Sequence, residues 1–150
     1  VRYILGVDPG QTTGLALIEC RNTGATLLRA TREVPLLGWS VLDLGVDPDV
    51  VAIETWEYQG QLRARGVAHQ AYAAGVAMGR AHGHTIVTMT RTQVLAAVGL
   101  QRGRSGRFKA VPKRMVAEWM AKLLGGEEAA RSEHEWDAVA VAVAVAGRTP

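Results

Sequence analysis

Apolar residues follow two rhythms along this chain. In the first third they form short runs broken by turn residues: Val1 to Val7, then Leu15 to Ile18 beyond the Asp8-Pro9-Gly10 turn, with Gly10 and Gly14 bracketing it. A compact run, VVAIET, follows at 50–55. Aliphatic and β-branched runs bounded by turn residues read as strands. They place strands at 2–8, 14–20, 26–34, 50–55 and 84–88, the first three as a meander. Later the spacing becomes helical. A long helix is expected over 62–81, LRARGVAHQAYAAGVAMGRA, and a short one over 91–98, started by Thr90 or Thr92. Further helices are expected over 111–124, with Pro112 in the first turn, and over 132–147. A short helix is expected within 36–45, ahead of the Asp47-Pro48-Asp49 turn, and the polar, glycine-rich stretch 99–110 reads as a loop.

Composition bounds this α/β pattern. The chain has 150 residues, 48% of them apolar, which predicts one domain over 1–150 with a substantial core. It holds no clean run of eighteen apolar residues and no basic-then-apolar leader, so a soluble, cytoplasmic protein with no membrane partner is expected. The single cysteine, Cys20, excludes an internal disulfide. Formal charge is only +3, and the cations are mostly arginine, with lysine at 109, 113 and 122 alone. Arginine suits phosphate recognition, although GC-rich coding produces the same bias.

Three places hold carboxylates where burial makes them costly. Asp8 closes the first apolar run, and a turn-forming aspartate before Pro-Gly explains it equally well. Glu54 closes Val50-Val51-Ala52-Ile53, where the plain alternative is a strand-end acid facing solvent. SEHEWDAVAVAVAVAG (132–147) sets His134 and Asp137 on one helix face, although acids in a first turn are also ordinary helix chemistry. Converging in space, these groups would repel one another unless cations sat among them. Oxygen-rich donors suit Mg²⁺ or Mn²⁺, and paired hard cations serve phosphodiester cleavage.

A fourth stretch is basic. RTQVLAAVGLQRGRSGRFKAVPKRMV (91–116) carries Arg102, Arg104, Arg107, Lys109, Lys113 and Arg114, with no acid between Thr92 and Met115. Such cations neutralise phosphates without reading bases, which marks a nucleic-acid face rather than a merely solvated loop. His69, His82 and His84 have no acidic neighbours at ligand spacing and read as surface or helix-end residues.

Taken together, ILGVDPGQTTGLALIE, VAIETWE, RTQVLAAVGL with its basic sequel, and HEWDAVAVAVAVAG make the chain resemble the RuvC Holliday junction resolvases of the RNase H-like superfamily. The resemblance covers essentially the whole chain. It implies a five-stranded mixed β-sheet flanked by α-helices, acting as a homodimer that nicks two opposing strands of a four-way DNA junction. It also implies Asp8, Glu54, His134 and Asp137 as catalytic and metal-ligating residues, holding two Mg²⁺ ions for which Mn²⁺ can substitute. An ion-activated water would attack phosphorus in line, leaving 5′-phosphate and 3′-hydroxyl ends. Branch-migration proteins are compatible partners.

The chain departs from that family in two places. Where the family often carries a DNA-contacting aromatic three positions after its glutamate, this chain has Glu57, flanked by Trp56 and Tyr58. Either aromatic could stack on DNA, and core packing competes for Trp56. Glu133 competes with His134 as the fourth ligand, since it also shares a helix face with Asp137. The small residues of 62–81 suit either a dimer interface or burial against the sheet. Rival functions are another RNase H-like nuclease acting on branched DNA or RNA–DNA hybrid, and a catalytically inactive junction-binding protein. An ATPase phosphate loop at GVDPGQTTG would need a second domain.

Overall fold

The computed structural model describes residues 1–55, 64–100 and 113–148, with the side chains of 64–67 and 113 left out of that description. Strands β1 (Arg2–Asp8), β2 (Thr12–Cys20) and β3 (Thr26–Pro35) form an antiparallel meander. β4 (Val50–Thr55) and β5 (Thr85–Thr90) then add in parallel on the other side of β1, giving the order β3-β2-β1-β4-β5. Helices α1 (Ala64–Arg80), α2 (Arg91–Ala97), α3 (Lys113–Leu124) and α4 (Glu133–Arg148) complete the layers, with a single 3₁₀ turn at Glu128–Ala130. This is the five-stranded mixed sheet flanked by helices that the family resemblance implies, built on the five strands that the residue pattern predicts.

Strand alternation sorts the core into two halves. On one face Ile4, Ala16, Ile18, Val50, Ala52 and Met89 meet α4, α2 and α3, around the fully buried Trp136 and Met120. On the other face Leu5, Val7, Leu15, Val51 and Ile53 meet Ala77 and Ala81 of the α1 end. Each fully buried Leu or Ile contributes about 1.5–3 kcal/mol through removal from water. α4 is apolar nearly all round because it crosses the sheet centrally, over β1 and β2, and is covered by α3. Among the described residues no helix is long and apolar enough to cross a membrane.

The helix expected within 36–45 does not form. Isolated turns replace it, with Gly38 N–H donating to Pro35 O at 3.0 Å and Gly45 N–H donating to Leu42 O at 2.9 Å. Trp39 and Val41 leave this irregular backbone to cover the second half-core. Burial of particular side chains outweighs helix propensity there. The expected loop at 99–110 falls mostly on 101–112, outside the described residues, as does Pro112.

Candidate active site

Asp8 and Glu54 owe their positions to strand register. β1 and β4 are parallel neighbours with Val7 opposite Ile53, so the following residues, Asp8 and Glu54, leave adjacent strand ends at one level. Val7 and Ile53 point into the second half-core, so alternation turns both acids to the α4 face. In the turn after Asp8 the Thr13 hydroxyl donates to Gly10 O at 2.8 Å.

The other two groups arrive on α4, whose start is closely specified. Ser132 and Glu135 form a reciprocal capping pair: the Glu135 amide donates to Ser132 Oγ at 3.2 Å, and the Ser132 amide to Glu135 Oε1 at 3.1 Å. The Thr31 hydroxyl of β3 donates to Glu135 Oε2 and accepts from Arg131 Nε at 3.1 Å, tying this turn to the sheet edge. Two glycines let the helix lie against the strands. A β-carbon on Gly14 would meet His134 O at 2.0 Å, and one on Gly6 would meet Ala138 O at 2.0 Å.

The four side chains expected from the sequence are thus brought together. His134 Nδ1 stands 3.3 Å from Asp8 Oδ2. Arg91, the first residue of α2, lies among the acids, with Nη1 3.5 Å from both Glu54 Oε1 and Asp137 Oδ1. Side-chain exposure falls from 37% at His134 to 14% at Asp8, 12% at Glu54 and 4% at Asp137. Glu133 stays exposed at the surface, while His134 is the residue that faces Asp8.

Electrostatics follow from this crowding. Burial, then the charge of Asp8 and its hydrogen bond, then the charge of Asp137, push the Glu54 carboxyl well above the usual range, and Arg91 opposes them. Burial disfavours the Arg91 guanidinium, but Asp137, Glu54 and Asp8 together outweigh it and raise its hold on the proton. Asp137 is buried and Asp8 and Glu54 nearly so, and fully ionised they would outnumber the one guanidinium they share. That donor set suits a hard divalent cation, with Asp8, Glu54 and Asp137 as oxygen ligands and His134 at the rim. Among the described residues no three such groups already converge on a common point.

Sequence reasoning missed Arg91, whose signal was a cation opening a helix that has no acid in its first turn. It also missed the capping pair, legible as Ser-x-x-Glu at 132–135, and the close approach at Gly14. His84, expected to be an ordinary surface or helix-end residue, is bonded through Nε2 to Asp47 Oδ1 at 2.7 Å. Of the expected DNA-contacting residues, Trp56, Tyr58, Arg102, Arg104, Arg107 and Lys109 lie outside the described residues. Lys113 opens α3, its side chain likewise outside them. Arg114 is exposed on α3 and pairs with Glu118 at 2.9 Å.

No protein-family model matches the chain, and no curated protein matches it. Solved structures do match. RuvC of T. thermophilus in complex with Holliday junction substrate has a TM-score of 0.71 at 22% identity, over 97% of this chain and 93% of that one. A second Thermus thermophilus RuvC structure has a TM-score of 0.66 at 25% identity, with the same 97% and 93% coverage. The yeast mitochondrial Holliday junction resolvase Ydc2 has a TM-score of 0.55 at 12% identity, over 96% of this chain and 78% of that one. The chain is therefore similar in structure, over nearly its full length, to RuvC and Ydc2, and its fold is RNase H-like.

Proposed function

We propose that this chain is a divalent-cation-dependent endonuclease that resolves four-way DNA junctions as a homodimer, nicking opposing strands once per subunit. The observation that carries the reading is the meeting of Asp8, Glu54, Asp137 and His134 at the strand ends of an RNase H-like sheet. The structural neighbour solved with Holliday junction substrate supports the choice of DNA.

Two Mg²⁺ ions, or Mn²⁺ in their place, would be held by Asp8, Glu54 and Asp137 with His134, and would supply charge neutralisation and water activation at the phosphodiester. The chain's own groups set up that chemistry. Asp8 and Glu54 present oxygens side by side from a rigid sheet, and α4 adds Asp137 from above. With Nδ1 turned to Asp8, the half-exposed His134 ring would either join the ligands or carry a proton at the cleft, two roles that one nitrogen cannot fill at once. Gly6 and Gly14 let α4 lie directly on β1 and β2, which fixes the height of Asp137 and His134 above the strands.

Paired nicking needs two such sites. The outer side of α1 supports a self-interface, since Tyr72 and Met78 are exposed there among Ala68, Gly75 and Gly79, with Ile86 exposed on the neighbouring edge strand β5. The basic residues of 99–114 are proposed as phosphate contacts, and Trp56 or Tyr58 as a stacking platform at the branch. The test is cleavage of a labelled synthetic four-way junction, beside linear duplex and RNA–DNA hybrid, with Mg²⁺, with EDTA and with Asp8→Asn. Paired metal-dependent nicks confined to the junction and lost in the variant are expected. Binding without cuts would leave a junction-binding module, and cutting of hybrid alone would make the protein a ribonuclease.

A further inference from the structure

Arg91 sits where local rules disfavour it. It is the first residue of α2, whose opening turn contains no acid, so its charge faces the positive end of the helix. The cap does not require it: Thr90 accepts from the Gln93 amide at 3.3 Å, and the Gln93 side chain returns to the Thr90 amide at 2.9 Å. Arg91 gains its compensation from the acids instead. One nitrogen, Nη1, is shared between Glu54 and Asp137 at 3.5 Å each. Both contacts are long beside the roughly 2.7–2.9 Å of a tight arginine–carboxylate clamp. The side chain keeps 36% of its surface exposed, so it can leave the cluster for solvent.

These features describe an occupant rather than a fixture. We propose that Arg91 is the resident counter-charge of the carboxylate cluster, and that a divalent cation enters by displacing its guanidinium from between Glu54 and Asp137. Guanidinium and cation compete for the same oxygens, because a second positive charge a few ångströms from the first is repelled. The chain thereby holds its acidic centre together without metal and lowers its own metal affinity. The proposal rests on reading Asp8, Glu54 and Asp137 as a cation site.

The test is Mn²⁺ titration by calorimetry on wild type, Arg91→Gln and Arg91→Lys, with thermal melting of each in EDTA. Arg91→Gln is expected to bind Mn²⁺ roughly tenfold tighter than wild type and to melt lower in EDTA, whereas Arg91→Lys keeps near wild-type affinity. Equal or weaker Mn²⁺ binding by Arg91→Gln overturns the displacement while leaving the cation site standing. No Mn²⁺ binding by any of the three overturns both. Should Arg91→Gln fail to fold, the wild type alone decides through the Arg91 Nε–Hε resonance. The signal is expected to move and exchange faster with solvent as Mg²⁺ saturates the site, and a signal unmoved at saturation overturns the proposal.

Discussion

The backbone carbonyl of His134 occupies the space a side chain on Gly14 would need: a β-carbon there would lie 2.0 Å from it. Gly14 is also the β2 partner of Asp8 in the sheet. The missing side chain on one strand therefore sets how near the α4 imidazole comes to the carboxylate on the next. The relation between His134 and Asp8 is a backbone dimension before it is a hydrogen bond.

Gly14→Ala is accordingly expected to lift the first turn of α4, costing about 1–3 kcal/mol as overpacking. Junction nicking should fall further than folding does, because the displacement acts at the His134 end. Gly147→Ala, near the far end of α4, is the control, since a β-carbon there meets nothing within 4 Å. Denaturant melts beside nicking assays separate the two, and a neutral Gly14→Ala would count against the close approach.

Removing the cap tests the same turn from the other side. Ser132→Ala deprives the Glu135 amide of its acceptor and should cost about 1 kcal/mol. Junction affinity in EDTA is expected to hold while the nicking rate in Mg²⁺ drops. Equal losses of binding and nicking would mean that the turn supports the whole fold rather than the site.

Neutralising a crowded acid should stabilise the metal-free chain. Burial together with Asp8 and Asp137 disfavours the Glu54 charge. Glu54→Gln in EDTA is expected to raise Tm by about 2–4 °C, equivalent to roughly 1 kcal/mol for a chain of this size. In Mg²⁺ the order is expected to reverse, because under the proposed function Glu54 is a ligand that the variant lacks. Melting curves with and without the ion check both halves, and a lower Tm in EDTA would contradict the first.

Acid sensitivity should come partly from the far end of β2. The Arg21 Nε–H donates to Glu19 at 3.0 Å and Arg29 pairs with it as well. The Arg21 bond, opposed by burial and aided by Arg29, holds the Glu19 carboxyl below its ordinary 4.5. With the folded value depressed, this contribution is complete above pH 4.5 and disappears as pH falls through the lower folded value. Glu19→Gln should flatten that part of the acid-unfolding profile. A profile of unchanged slope would exclude Glu19 from it.

The strands and the four α-helices were legible because each repeats its apolar positions at the period of its own geometry. Asp8 and Glu54 were legible for the opposite reason: each breaks an apolar run where a charge needs compensation. The stretch 36–45 misled because Trp39 and Val41 are buried from turns, where no period exists to read. Arg91 was hidden because its partner Asp137 lies 46 residues away and meets it only through the packing of α2 and α4 on one sheet face. The closeness of Gly14 to α4 leaves no mark in a pattern that records which side chains are present.

Thr31 gives the periphery a hold on the centre. It sits on the outermost strand, yet it bonds both Arg131 and Glu135 at the root of α4. Opening of that strand and loosening of the helix root are then one event rather than two. Deuterium should enter the amides of 31 and 135 together, and a ligand lying along the free edge of β3 would slow both without touching an acid. The outer strand works as a mooring line, and the steadiness of the reactive groups is decided partly at the rim of the sheet.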